Sequence, residues 1–107
     1  MRKEVIELEK LGTLPNSDTA AVETVKNYQD LIVSIKKPIT DDEARALIKV
    51  FGPDDCFGLA ETLLHLVESA PGWPLEDCLK NSDNEWIQRL NLRIENGKRL
   101  QARKSRL

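Results

Sequence analysis

Apolar residues recur along this chain at steps of three and four, broken by proline, glycine and cap-forming residues, and the pattern predicts helices throughout. Lys3 to Leu11 carries Val5, Ile6 and Leu8 among charges, and its Glu and Lys content favours a short helix. Gly12-Thr13-Leu14-Pro15-Asn16 stops it, and Ser17 or Asp18 offers a side-chain oxygen to the amides of a following first turn. From there to about Lys36, the positions Val22, Val25, Gln29, Ile32 and Ile35, with Tyr28 and Leu31 alongside, form the inward stripe of one amphipathic helix. Lys36 and Lys37 suit its negative end, and Pro38 closes it because proline lacks an amide and restrains its predecessor.

Thr40-Asp41-Asp42-Glu43 is a capping box, the firmest boundary in the sequence, and it opens a helix with Ala44, Leu47, Ile48 and Phe51 on one face. Gly52 and Pro53 end that helix. The spacing then predicts a long helix over 54–70, in which Cys56, Phe57, Leu59, Ala60, Leu63, Leu64, Leu66, Val67 and Ala70 cover about half the circumference. So wide an apolar face marks a central helix. Pro71-Gly72-Trp73-Pro74 is not helical as a unit, and Trp73 is expected to plug the core at that bend. Leu75 to Leu79 reads as a short helix, and Ser82-Asp83-Asn84-Glu85 is a second capping box ahead of a last helix with Trp86, Ile87, Leu90 and Ile94 inward. After Gly97 only Leu100, Ala102 and Leu107 are apolar, so packing support fades. The expected fold is an all-α bundle of about five helices in a single domain over 1–107. Helix 54–70 lies at its centre, against Val22 to Ile35, Leu47, Phe51, Trp73 and Trp86.

Composition sharpens this picture in two places. The hydrophobic fraction of 40% with 32% charged residues is that of a globular chain. No stretch approaches the roughly 20 apolar residues that span a bilayer, and Met1-Arg2-Lys3-Glu4 opens a charged run without the apolar region of a secretory signal, so no membrane contact and a cytoplasmic location are expected. The formal charge of -2 conceals a polar layout. Between Asp41 and Glu85 eleven acidic residues face three basic ones, whereas from Arg93 onward six basic residues face Glu95 alone. The middle is acidic and the 93–107 end is basic, which bears on partners and association rates.

Candidate chemistry is sparse. His65 is the only histidine, and Glu61 and Glu68 lie on its helical face, an arrangement that in metal-binding bundles needs a second carboxylate-histidine pair, which this chain lacks. Cys56 and Cys78 have no metal-ligand or disulfide spacing and read as free thiols of a helical core. Gly52-Pro53-Asp54-Asp55-Cys56-Phe57-Gly58 lacks the Lys-Ser/Thr pair of a phosphate loop. No catalytic apparatus, metal or cofactor is therefore expected, and a metal or acid-base site at His65 stands as the third reading, behind two binding roles. Two binding surfaces remain. The basic end, with Lys98, Arg99, Arg103, Lys104 and Arg106, suits nucleic-acid phosphates, although no aromatic is interleaved for stacking on bases. The acidic middle, with Asp41, Asp42, Asp54, Asp55, Glu61, Glu68, Glu76 and Asp77, suits steering onto a basic protein partner. In size, helical build and acidity the chain resembles the small bacterial immunity proteins made beside secreted toxins, which implies a non-enzymatic module that neutralises a basic partner. The stretch Gly52 to Pro74, GPDDCFGLAETLLHLVESAPGWP, is similar to small bacterial helical proteins of unassigned function.

Overall fold

The computed structural model describes residues 1–79 and 83–105, with 101–105 described by backbone alone. Among these residues the chain forms five α-helices and no strand: α1 (Lys3–Leu11), α2 (Val22–Ser34), α3 (Asp41–Ile48), α4 (Leu59–Glu68) and α5 (Glu85–Ser105), with one 3-10 turn at Glu76–Cys78. The all-α fold expected from periodicity is present.

α4 is the central element. It buries Leu59, Ala60, Leu63, Leu64, Leu66 and Val67 and packs on α2, α3 and α5, while α1 packs on α2 and α3. Its start differs from the 54–70 pattern, and the cause is three hydrogen bonds to one carboxylate. Asp54 Oδ1 accepts the Cys56 amide at 3.0 Å and Asp54 Oδ2 accepts the Ser17 amide at 3.1 Å, together with the Ser17 hydroxyl. A carboxylate so occupied holds residues 54–56 as a turn, and Cys56, Phe57 and Gly58 then follow with φ of 48°, 57° and 87°. The helix begins only after Gly58. Gly52, just upstream, is obligatory for a different reason: a Cβ there would stand 2.0 Å from the Leu14 carbonyl oxygen.

α2 also departs from its pattern. It opens at Val22 without a side-chain cap, because Ala21 occupies the cap position; Ser17 is bonded to Asp54 instead, and the Asp18 amide donates to Asn16 Oδ1 at 2.8 Å in the turn before it. Its inward residues are Tyr28 and Ile32, with Val25 and Leu31 partly covered, whereas Val22 is 84% exposed and Gln29 is also in solvent. The Tyr28 hydroxyl donates into the α1–α2 connection, where the Thr13 carbonyl lies at 2.9 Å and those of Leu11 and Gly12 at 3.1 Å.

The first capping box forms as read, with Thr40 Oγ1 accepting the Glu43 amide at 3.1 Å and Glu43 Oε1 accepting the Thr40 amide at 2.9 Å. Glu43 does more than cap. Its other oxygen accepts the Arg2 amide at 3.1 Å and Arg2 Nε at 2.8 Å, and Arg2 also donates to the Lys36 and Pro38 carbonyls. One buried carboxylate thus ties the α1 start, the α2 exit and the α3 start together. Asp41 adds a second tie, accepting the Gly72 amide at 2.7 Å.

The second expected capping box includes Ser82, which lies outside the described residues; Asn84 takes the capping part. Its Oδ1 accepts the Trp86 amide at 2.8 Å while its Nδ2 donates to the Phe51 and Gly52 carbonyls, each at 3.1 Å. Trp86 then stacks on Phe51, with ring centroids 6.3 Å apart, and carries the Arg89 guanidinium on its ring at 4.5 Å. Trp86 and Leu90 are buried and Ile87 and Ile94 half-buried, but every side chain from Glu95 to Leu100 is exposed. α5 therefore runs past the body. The Cα radius of gyration of 14.6 Å exceeds the roughly 13 Å of a compact chain of this length for that reason. Trp73 packs against the core half-buried.

Candidate functional site

The eight carboxylates of the acidic middle divide by whether the chain itself satisfies them. Asp41 is bonded to the Gly72 amide. Asp42 and Asp77 converge on Arg45, at 3.4 and 3.3 Å, and this pairing raises the pKa of the guanidinium. Glu68 holds Arg93 through two bonds of 2.7 and 2.9 Å and stands 3.6 Å from His65 Nδ1; Glu76 pairs with Lys98. Asp54 is taken by Ser17 and the Cys56 amide, the Ser17 hydroxyl first among the donors that hold its carboxyl below the usual range. Of the eight, Asp55 and Glu61 stand exposed and make no side-chain hydrogen bond or ion pair among the described residues, although Glu61 is near enough to Arg93 to add to the raised pKa of that guanidinium, after Glu68.

The Ser17–Asp54 bonds bring a further carboxylate to this place. Asp18 follows Ser17 in the turn at Asn16–Thr19, is exposed, and pairs with no basic group among the described residues. Asp18, Asp54 and Asp55 thus form an acidic corner drawn from two segments 37 residues apart. Sequence spacing names Asp18 only as a cap and has no means of placing it beside Asp54.

At the same corner stands an aromatic ring. Leu59 donates its amide to the Cys56 carbonyl at 3.1 Å, and the φ angles of Phe57 and Gly58 are those of the two central residues of a type I′ turn. Glycine, Asn and Asp are usual at such positions; an L residue with a bulky side chain costs about 1–2 kcal/mol there. Cys56 shares the left-handed backbone, yet its side chain is fully buried, which offsets the cost. Phe57 is 71% exposed. Helical periodicity counts it on the inward face of the central helix, and the left-handed turn instead carries it outward.

The remaining sequence candidates have clear environments. His65 is half exposed on α4, and the Glu68 carboxylate beside it is held by Arg93; no cluster of three metal-ligating side chains exists among the described residues. Burial raises the Cys56 thiol, with Asp54 and Asp55 adding to it, and burial likewise raises Cys78, so neither is poised as a thiolate. Of the basic end, Lys98 is bonded to Glu76 and Arg99 is exposed; the side chains of Arg103 and Lys104, and Arg106 as a whole, lie outside the described residues. No helix among the described residues is long and apolar enough to cross a membrane. No protein-family model, curated protein or solved structure matches this chain.

Proposed function

We propose that the chain is a non-enzymatic protein-binding module that engages a basic partner through the corner formed by Asp18, Asp54 and Asp55, in the manner of an inhibitor or immunity-type protein that neutralises its target. The observation that carries this reading is the distribution of satisfied and unsatisfied charge. Eight acidic groups of the middle segment are neutralised or bonded within their own chain, at Asp41, Asp42, Glu43, Asp54, Glu68, Glu76, Asp77 and Glu85, and of these Asp41 and Asp54 are bonded only to neutral donors and keep their charge unpaired among the described residues. The corner has no ion pair among the described residues, and its negative field is available to steer a cationic surface into contact. Free thiols at Cys56 and Cys78 accord with a reducing, cytoplasmic setting for this activity.

Asp54 is unsuitable for the test, because its carboxylate also shapes the turn. Charge reversal at Asp18 and Asp55 leaves every described hydrogen bond of the loop in place, since Asp18 participates only through its main-chain amide. The expected result of Asp18→Lys with Asp55→Lys is an unchanged melting temperature and loss of a basic protein that the natural chain retains from nuclease-treated host lysate. Retention of the same protein in equal amount by the double variant removes the proposal.

A further inference from the structure

We propose that Phe57 is the anchor of this docking surface, an aromatic plug that enters an apolar pocket rimmed by Lys and Arg side chains on the partner protein. The inference rests on the acidic-corner reading and adds the shape of the partner's site to it. Exposed apolar side chains elsewhere on the described surface, such as Val22, Val33 and Leu92, lie within helices. Scattered residues of that kind are ordinary protein surface. Phe57 differs in that its backbone is held left-handed by a built turn: Asp54 bonded to Ser17 and Cys56 on one side, the Leu59 amide bonded to Cys56 on the other. The turn aims the ring outward, whereas the apolar periodicity of the segment would place it inward. A rigid aromatic of this kind loses little conformational freedom on docking and fills a pocket with a large apolar area, as interface anchors do.

Charge selects the class of partner. The ring follows Asp54 and Asp55 by three and two residues, and the Ser17–Asp54 bonds bring the Asp18 segment to the same loop. Nucleic-acid phosphates and anionic lipid headgroups are repelled by such a setting, while a protein pocket edged by guanidinium or ammonium groups gains both ion pairing with the carboxylates and cation–π contact with the face of the Phe57 ring. Apolar plug and anionic collar together describe a complementary hollow of opposite charge on one protein surface.

The test places photoreactive benzoylphenylalanine at Thr62, an exposed α4 residue whose amide and hydroxyl both bond the Gly58 carbonyl and which therefore stands beside the turn with Phe57 intact. Irradiation in nuclease-treated host lysate is expected to give one protein adduct, abolished by excess natural chain and identified by mass spectrometry. That protein is then purified and its affinity measured against the natural chain, Phe57→Gly and the Asp18→Lys/Asp55→Lys variant. Phe57→Gly is expected to weaken binding at least about 30-fold, with a melting temperature no lower than that of the natural chain, so that misfolding is excluded as the cause. If Phe57→Gly binds as tightly as the natural chain while the charge-reversed variant does not, the plug is overturned and the acidic corner stands. If both bind unchanged, both readings fall; an adduct with nucleic acid, or none that the natural chain displaces, also overturns the plug.

Discussion

Replacing Arg2 by Ala probes the least exposed charge among the described residues, Glu43. The Glu43 side chain is only 2% exposed, and that of its partner Arg2 31%. Burial by itself pushes the Glu43 carboxyl up, but the Thr40 and Arg2 amides and the Arg2 guanidinium outweigh it and hold the pKa down at about 2. Against roughly 4.3 in an unfolded chain, and 1.36 kcal/mol per unit, the ionised carboxylate contributes about 3 kcal/mol to stability at neutral pH. Because the folded-state pKa is the lower one, the unfolded chain binds more protons between these values. The contribution is complete above about pH 5 and is lost as pH falls toward 2. Arg2→Ala deletes the guanidinium and its bonds to Glu43, Lys36 and Pro38 while leaving the main-chain amides in place. The expected cost at pH 7 is about 2–3 kcal/mol, somewhat below that of breaking a fully buried pair, and it corresponds to a melting temperature lower by about 10–20 °C. Urea unfolding at intervals from pH 7 to pH 2.5 checks this. The stability curves of the natural chain and the variant should converge as the acid end is approached, since the variant has already lost what protonation removes. Parallel curves with a constant offset would refute the assignment of a depressed Glu43 pKa to Arg2.

Other outcomes follow from single contacts. Gly52→Ala sets a Cβ against the main-chain oxygen of Leu14, which has no way to yield, and should cost more than about 3 kcal/mol in chemical denaturation. Gly72→Ala meets the Asp41 carboxylate first, which can rotate away at the loss of its bond to the Gly72 amide, and about 1–2 kcal/mol is expected. Phe57→Gly relieves a left-handed backbone and should raise stability by about 0.5–1 kcal/mol, while Cys56→Gly, with the same backbone but a buried side chain, should lower it. Asn84→Ala removes the α5 cap and two anchors to the α3 exit and should cost about 1–2 kcal/mol, read as an equal loss in thermal and urea unfolding.

What periodicity and cap chemistry revealed, and what they did not, divides along sequence distance. The Thr40–Glu43 box is local, so its two bonds follow from four adjacent residues. The same Glu43 bonds to Arg2 across 41 residues, and nothing in either neighbourhood announces that pairing. The central helix was legible as an apolar face from Leu59 to Val67, because those residues obey a 3.6 period. Its expected start at Asp54 was not, since Cys56 and Phe57 fit the same period by composition while the Ser17–Asp54 bonds hold them out of it. The acidic character of the middle segment was legible as a charge count, yet the count treats Asp55 and Asp77 alike, and only the fold shows Arg45 beside Asp77 and, among the described residues, no ion pair at Asp55. Asp18 was hidden for the converse reason, as its segment reads as a linker.

The environment of Trp86 gives this chain an internal optical probe. Its indole packs on the Phe51 ring and carries the Arg89 guanidinium, almost wholly out of water, and its Nε1 has no hydrogen-bond partner among the described residues. An indole so placed emits toward the blue, whereas the half-buried Trp73 emits further to the red. As these are the chain's two tryptophans, the blue component of its emission follows the seating of α5 on the α3 exit. Detachment of that helix would therefore redden and redistribute the spectrum before the far-ultraviolet signal of the remaining helices declines.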